Sequence, residues 1–185
     1  MKTVELEING KKIQANEGAT ILQTAIENKI YIPTLCYGSQ VEPSGVCRLC
    51  MVEISRKGRK RLVASCVYPV ENDLIVQTET PKIRKIRKMI IELLWPAVHD
   101  ERLLKEYGGD KSRFATGETE CSLCGLCVRY CSEVKKTNAA YFQGRGVNRK
   151  IAVLPEFAVE CLYCGKCFGM CTGGWIVNQG DKALS

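Results

Sequence analysis

Cysteine spacing constrains this chain more than any other feature of its sequence. Twelve cysteines stand among 185 residues, and they fall into three groups of four. Two groups repeat the pattern C-x2-C-x2-C-x3-C, and their members are Cys121, Cys124, Cys127 and Cys131, then Cys161, Cys164, Cys167 and Cys171. This run is the bacterial-type spacing for a pair of [4Fe–4S] clusters, so the pattern predicts electron transfer.

The fourth cysteine of each run is expected to bind the cluster of the other run. In two-cluster ferredoxins, three cysteines wrap one cluster and the fourth reaches the second. The resulting predicted ligand sets are Cys121, Cys124, Cys127 and Cys171 for the first [4Fe–4S] cluster, and Cys161, Cys164, Cys167 and Cys131 for the second. Gly125 and Gly165 follow the second cysteine of each run, where a missing Cβ permits positive φ and close backbone approach.

The upstream group has a different pattern, C-x10-C-x2-C-x15-C, and it consists of Cys36, Cys47, Cys50 and Cys66. This spacing differs from the plant-type C-x4-C-x2-C run. A separated first thiolate, a close pair and a distant fourth cysteine on a strand nevertheless favour a [2Fe–2S] site. With this assignment no cysteine is left over, and all twelve are predicted ligands.

Zinc sites and a disulfide scaffold are the alternatives for these cysteines. Three four-thiolate zinc sites would also use twelve cysteines, but a zinc knuckle needs only two thiolates per loop. The third cysteine of each run therefore argues against zinc. Disulfides are disfavoured because the chain is long for such a scaffold and begins Met1-Lys2-Thr3, without an apolar secretory region.

Charge and hydropathy narrow the range of partners. The formal net charge of +7 counts every cysteine as neutral. Three oxidised all-thiolate clusters would add about −2 each and leave the loaded protein at about +1. The excess of Lys and Arg over Asp and Glu therefore mostly compensates the negative charge of the cofactors, and no nucleic-acid partner is expected. Since no run of about 18 apolar residues exists, no membrane insertion is expected, and the cytoplasm is the expected location.

Strand and helix patterns predict a β-grasp arrangement before residue 80. The predicted strands cover 4–8, 11–15, 51–54, 61–66 and 74–80, with Asn9-Gly10 as the first hairpin turn. Thr20 is placed to cap a helix, whose apolar residues are Ile21, Leu22, Ala25 and Ile26. Two hairpins and one crossing helix within about 78 residues are typical of that arrangement.

A helix is predicted over 82–95, between Pro81 and Pro96. Its apolar stripe at helical spacing consists of Ile83, Ile86, Met89, Ile90, Leu93 and Leu94. The basic residues expected mostly on the other side are Arg84, Lys85, Arg87 and Lys88. The stripe is expected to pack against two cluster modules rather than against a membrane.

Two further segments carry weaker signals. Residues 132–160 separate the repeated runs and are predicted to hold a hairpin, with strands at 141–143 and 151–154. Its turn lacks the third glycine of a dinucleotide fingerprint, because Arg149 stands there. The basic segment 56–61 lies at a predicted hairpin tip, which is either simply exposed or docks against an acidic partner.

Two stretches resemble a known family. Ile-Pro-Thr-Leu-Cys-Tyr at 32–37 and Pro-Ser-Gly-Val-Cys-Arg-Leu-Cys-Met-Val-Glu at 43–53 closely resemble the N-terminal module of the iron–sulfur large subunit of NADH dehydrogenase (complex I). Similar modules occur in [FeFe]-hydrogenases and in the diaphorase small subunit of NAD-reducing hydrogenases and formate dehydrogenases. Residues 121–129 resemble the first [4Fe–4S] motif of that family, and 87–94 resemble its linker helix.

The motifs and the resemblance together predict an α+β chain of three parts. These are a β-grasp [2Fe–2S] ferredoxin domain at 1–79, a linker helix at 80–98, and a bacterial-type two-cluster [4Fe–4S] ferredoxin domain at 99–185.

The resemblance also implies a function. It indicates a non-catalytic electron-relay subunit in a hetero-oligomeric, NAD(P)H-linked oxidoreductase complex, of a kind that generally works in anaerobic or facultative cytoplasm. Its partners would be a flavoprotein subunit that oxidises NAD(P)H and a catalytic redox subunit, such as a hydrogenase, a formate or aldehyde oxidoreductase, or a bifurcating enzyme. A freely diffusing ferredoxin-type carrier and a zinc-knuckle interaction protein are the alternatives.

The sequence departs from the family at a histidine-containing cluster site. The family usually places His-x3-Cys-x2-Cys-x5-Cys between the two modules. Here His99 is present, but Leu103, Glu106 and Ser112 occupy the cysteine positions. This additional cluster is therefore predicted to be absent, and His99 is expected to be a surface or packing residue.

Three basic residues lie inside or beside the predicted ligand loops: Arg48, Arg129 and Lys166. Each either raises the potential of a nearby cluster or is an ordinary solvated side chain.

Overall fold

The N-terminal half of the chain folds into a five-stranded sheet with one helix packed against it. The computed structural model describes residues 2–114 and 121–173. The strands are β1 (Thr3–Ile8), β2 (Lys11–Asn16), β3 (Met51–Arg56), β4 (Arg59–Ala64) and β5 (Leu74–Gln77). Their order is β2-β1-β5-β3-β4, in which β1 and β5 are parallel and the other neighbours antiparallel. With α1 (Ile21–Glu27), this is the expected β-grasp arrangement.

The turn between β1 and β2 forms where the sequence predicts it. Asn9 and Gly10 have φ values of +51° and +83°, a backbone that matches the twist of the paired strands. Asn9 also fixes the end of β5, which stops at Gln77 and is shorter than predicted. Its side chain donates to Thr78 Oγ1 at 2.8 Å and accepts from the Thr78 N–H at 2.9 Å.

A capping box starts α1. Thr20 Oγ1 accepts from the Gln23 N–H at 3.2 Å, and Gln23 Oε1 accepts from the Thr20 N–H at 2.9 Å. The apolar residues that α1 buries in the core are Ile21, Leu22 and Ala25. Ile26, the fourth apolar residue of the predicted helix, is 53% exposed. The short helix therefore covers the sheet with only part of its apolar sequence.

Helix α2 (Pro81–Leu94) is covered on two sides, by β3 and by α3 (Glu101–Tyr107). The predicted separation into an apolar stripe and a basic side is wrong in two places. Arg87 is fully buried, and Leu93 is 54% exposed. Because a second helix packs against α2, a residue outside the apolar stripe also loses its contact with water.

An apolar cluster, named the linker cluster, lies between α2, α3 and the loops that carry cysteines. Its buried members are Leu35, Leu49, Ile91, Leu103, Leu104 and Tyr107. Cys47 and Cys124, which belong to different predicted ligand sets, both pack against it. The linker cluster therefore joins the two cysteine-bearing halves of the chain by apolar contact.

The second half consists of short elements around the repeated cysteine runs. They are α4 (Leu126–Arg129), a π-helical turn (Tyr130–Val134), β6 (Ala140–Gln143), β7 (Lys150–Val153) and α5 (Ala158–Cys164). Strands β6 and β7 pair in antiparallel fashion, which confirms the inserted hairpin. Among the described residues, no helix combines the length and the apolar character needed to cross a bilayer.

Candidate metal centres

The upstream cysteines converge at the open end of the β3–β4 hairpin. Cys50 directly precedes β3 and Cys66 follows β4, so strand pairing brings their Sγ atoms to 3.4 Å. The N–H of Cys47 donates to Cys36 Sγ, also at 3.4 Å. Three of the four side chains are buried, with Cys47 half-buried. The structure thus gathers the predicted [2Fe–2S] ligand set in one water-poor site.

Hydrogen bonds within two sulfur pairs separate the acidities of their members. A hydrogen bond with the Cys47 thiol lowers the pKa of Cys36 to about 5, although burial opposes the shift. Likewise, a hydrogen bond with Cys66 lowers the pKa of Cys50 to about 6. The same hydrogen bonds, together with burial, raise the pKa values of Cys47 and Cys66. One sulfur of each pair therefore favours the thiolate, which is the form that binds metal.

Two residues outside this group hold the backbone around Cys50. Ser65 Oγ donates to the carbonyl oxygen of Cys50 at 2.8 Å. Arg87 donates from Nε to the carbonyl of Leu49 at 3.1 Å and from Nη2 to the carbonyl of Met51 at 3.0 Å. Nothing in the sequence distinguishes Arg87 from the other basic residues of α2, so its place at this site could not be predicted.

The two repeated runs exchange their fourth cysteines in space. The cysteines that line a cavity of about 190 Å³ are Cys131, Cys161, Cys164 and Cys167. Those that line a smaller cavity of about 20 Å³ are Cys121, Cys124, Cys127 and Cys171. Each cavity therefore combines three cysteines of one run with the fourth of the other, and the structure brings together both sets that the spacing predicts.

Burial raises the pKa of several cysteines in these two groups. Burial, reinforced by the charges of neighbouring cysteines, raises the pKa of Cys127 and of Cys167 to about 12. Burial and the neighbouring Cys131 also raise the pKa of Cys161. Because clustered thiolates repel one another, they become favourable only around a cationic centre. This donor chemistry fits an iron–sulfur core bound by four thiolates.

Within residues 2–114 and 121–173, no group of three or more His, Cys, Asp or Glu side chains is arranged to hold a single metal ion.

Both glycines of the repeated runs adopt the backbone expected of them. Gly125 has φ of +72° and Gly165 has φ of +49°. A Cβ on Gly125 would lie 2.9 Å from Cζ of Phe142, a residue of β6. Gly125 therefore meets two requirements, the left-handed turn before α4 and the close packing of the inserted hairpin against the ligand loop.

The residues at the positions of the family's histidine-containing cluster are buried in one case and exposed in the others. Leu103 is buried in the linker cluster. The carboxylate of Glu106 lies 4.0 Å from Arg102 Nη1, and Ser112 Oγ donates to Asp110 at 2.6 Å. His99 is exposed, and its ring centroid lies 5.3 Å from that of Trp95. These positions agree with the expectation that His99 is a surface residue.

Comparison with known proteins supports the reading of the motifs. Residues 1–81 match the family described as "2Fe-2S iron-sulfur cluster binding domain". Residues 1–81 form a [2Fe–2S] ferredoxin-type domain. The chain is 30% identical to the NADPH-Fe(3+) oxidoreductase subunit alpha of Geobacter sulfurreducens, over 97% of this chain and 24% of that protein. It is 26% identical to the mitochondrial NADH-ubiquinone oxidoreductase 78 kDa subunit of Candida albicans, over 95% of this chain and 28% of that subunit.

A solved structure extends the similarity beyond the [2Fe–2S] domain. A chain of an NAD+-reducing [NiFe]-hydrogenase in the H2-reduced state superimposes with a TM-score of 0.70 at 25% identity. The match covers 81% of this chain and 74% of the hydrogenase chain. The resemblance drawn from the sequence motifs is thereby confirmed. The chain spans about a quarter of the length of the curated relatives named above.

Proposed function

We propose that this chain is an electron-relay subunit that carries one [2Fe–2S] and two [4Fe–4S] clusters. The observation that carries the proposal is the gathering of all twelve cysteines into three groups of four. Bound clusters would supply one-electron oxidation and reduction. The chain's own residues would hold the sulfurs in place, exclude water from the upstream site and fix the three sites relative to one another.

The ligand sets of this proposal follow the three spatial groups. The [2Fe–2S] ligands are Cys36, Cys47, Cys50 and Cys66. The first [4Fe–4S] set is Cys121, Cys124, Cys127 and Cys171, and the second is Cys161, Cys164, Cys167 and Cys131. The proposed division of the chain is a [2Fe–2S] domain at 1–79, a linker helix at 80–98 and a two-cluster domain at 99–185.

The names of the similar proteins support a place in an NAD(P)H-linked complex. They include subunits of NADH-ubiquinone oxidoreductase and NADPH-Fe(3+) oxidoreductase, and a chain of an NAD+-reducing hydrogenase. Such complexes oxidise or reduce a nicotinamide, which exchanges two electrons, whereas an iron–sulfur cluster exchanges one. The proposed partners are therefore a flavoprotein subunit, which divides the electron pair, and a catalytic redox subunit in the same hetero-oligomer.

Metal analysis of protein purified without oxygen tests the cofactors. We expect about ten iron atoms per chain and little zinc, with sulfide in similar amount to the iron. Reduction with dithionite should give EPR signals of both cluster types. Colourless protein with stoichiometric zinc would contradict the proposal and support a zinc-knuckle protein.

Native purification tests the partners. We expect a tagged chain, expressed from its own genome, to elute from size exclusion together with a flavin-containing subunit. A monomer that carries all three clusters and no flavoprotein would instead support the freely diffusing carrier.

A further inference from the structure

The end of α4 and the π-helical turn that follows it are tied directly to the loop that begins at Cys36. Arg129 Nη2 donates to the carbonyl oxygen of Cys36 at 2.6 Å, and Arg129 Nη1 donates to the carbonyl oxygen of Glu42. The loop also donates in return, because the N–H of Glu42 donates to Glu133 Oε2 at 2.7 Å. Arg129, Glu133 and Glu42 are named the clamp.

Apolar packing reinforces the same contact. Val41, from the Cys36 loop, is buried in one cluster with Leu126 and Tyr130. Gly38 lies so close to this surface that an added Cβ would stand 3.2 Å from Leu126 Cδ2. The absence of a side chain at Gly38 therefore permits the close approach of the two halves at this point.

The clamp lies between residues of different ligand sets. Arg129 is two residues from Cys127 in one direction and two residues from Cys131 in the other. Its Nη2 contacts the main chain of Cys36, a member of the upstream set. One side chain thus joins a [2Fe–2S] candidate ligand to the segment that supplies a cysteine to each of the two other groups.

We propose that Arg129 is a positioning residue that fixes the distance between the [2Fe–2S] site and the two-cluster module. This inference rests on the proposed function, because the distance matters only if all three sites hold clusters. The guanidinium is suited to the task since its planar fork reaches two carbonyl oxygens at once, which an ammonium on a flexible stem does not hold in a fixed geometry.

Three substitutions in the full chain distinguish a positioning effect of Arg129 from an effect of its charge. Arg129→Gln removes both hydrogen bonds to carbonyls, and Arg129→Lys keeps the charge but not the fork. Gly38→Val leaves all charges unchanged and inserts a wedge against Leu126. Arg145→Gln is the matched control, because Arg145 is an exposed arginine in the turn of the inserted hairpin.

Two measurements report on the separation of the sites. The first is the microwave power at half-saturation of the [2Fe–2S] EPR signal, which falls as a neighbouring paramagnetic cluster moves away. The second is hydrogen exchange of the Glu42 amide. We expect the exchange rate to rise roughly tenfold in Arg129→Gln and in Glu133→Ala, because each loses a charge-assisted hydrogen bond of the clamp.

In Arg129→Gln and Gly38→Val, the half-saturation power should fall while the iron content stays at the wild-type value. Arg129→Lys should lie between wild type and Arg129→Gln, and Arg145→Gln should match wild type. An unchanged half-saturation power and an unchanged exchange rate in both Arg129→Gln and Gly38→Val would overturn the inference.

Failure of the proposed function gives a different result. Wild-type protein without iron would remove that function and the positioning role that rests on it. Wild-type protein with full iron content, but with no response to any of the substitutions, would remove only the positioning role of Arg129.

Discussion

Arg87 donates a hydrogen bond from Nε to the carbonyl oxygen of Leu49, 3.1 Å away, directly before Cys50. The guanidinium is fully buried, and it also contacts the carboxylate of Glu79 and, at 3.0 Å, the hydroxyl of Tyr107. A buried charge is tolerable only when it is paired and its hydrogen bonds are satisfied. Arg87 therefore ties the linker helix to the loop that supplies two candidate [2Fe–2S] ligands.

Replacement of Arg87 should destabilise the [2Fe–2S] domain more than any surface change on the same helix. Arg87→Ala removes the donor to the carbonyls of Leu49 and Met51, whereas Glu79 keeps Arg84 and the Tyr107 hydroxyl as partners. We expect a cost of about 1–3 kcal/mol in the free energy of unfolding. Calorimetry should show a lower melting temperature, and EPR should show loss of [2Fe–2S] signal.

Lys85→Ala is the control for Arg87→Ala, because Lys85 is exposed on α2. It should change the free energy of unfolding by less than about 0.5 kcal/mol. Equal melting temperatures for the two variants would show that the buried network contributes little to stability.

Exchange of the fourth cysteines predicts an unusual pattern of cluster loss. Cys131 lines the cavity formed by Cys161, Cys164 and Cys167, so Cys131→Ser should damage the second [4Fe–4S] cluster and spare the first. Cys171→Ser should do the reverse. Mössbauer and EPR spectra of the two variants, with iron content, make the comparison. Loss of the cluster of its own run in each variant would contradict the assignment.

Much of this arrangement could be predicted from sequence because it is local or periodic. Cysteine spacing indicated which residues meet, and the Asn9-Gly10 turn and the strand alternation gave the hairpins. The role of Arg87 could not be predicted. Its burial depends on the packing of α3 against α2, whose sequence pattern alone is that of an amphipathic helix with an exposed basic side. The same holds for Arg129, since its carbonyl partners lie 93 and 87 residues away in the sequence.

The region between the two modules illustrates a second limit of sequence analysis. The non-cysteine residues Leu103, Glu106 and Ser112 predict that this cluster is absent, but they do not predict how this segment packs. Packing of Leu103 with Ile91 and Tyr107 in the linker cluster depends on the relative placement of α2 and α3. Such placement is set by long-range contacts that no single segment encodes.

Gly125 should not tolerate a side chain. Gly125→Ala combines a left-handed backbone, with φ of +72°, and a Cβ only 2.9 Å from the Phe142 ring. We expect a loss of at least about 1 kcal/mol in the free energy of unfolding and a lower occupancy of the adjacent [4Fe–4S] site. Thermal unfolding and iron content measure the two effects.

Gly58→Ala is the matched control for Gly125→Ala. Gly58 has a similar φ of +77°, but nothing lies within 4 Å of an added Cβ. It therefore carries the backbone strain without the clash, and the difference between the two variants isolates the contact with Phe142. If both variants lose the same stability, that contact is unimportant.

Two hydroxyl groups of the [2Fe–2S] domain should respond to removal in opposite directions. Thr24 is fully buried, and its Oγ1 is without a hydrogen-bond partner among the described residues. Thr24→Val replaces this hydroxyl with a methyl group of similar size and should raise the free energy of unfolding by about 1 kcal/mol.

Ser65 is equally buried, but its hydroxyl donates to the carbonyl of Cys50 at 2.8 Å. Ser65→Ala should therefore lower the free energy of unfolding by about 0.5–1.5 kcal/mol, because the carbonyl loses the hydroxyl but keeps the Ser65 N–H, 3.2 Å away. Calorimetry of the two variants with equal iron content measures both changes, and a melting temperature that falls in Thr24→Val would show that this hydroxyl has a partner in solution.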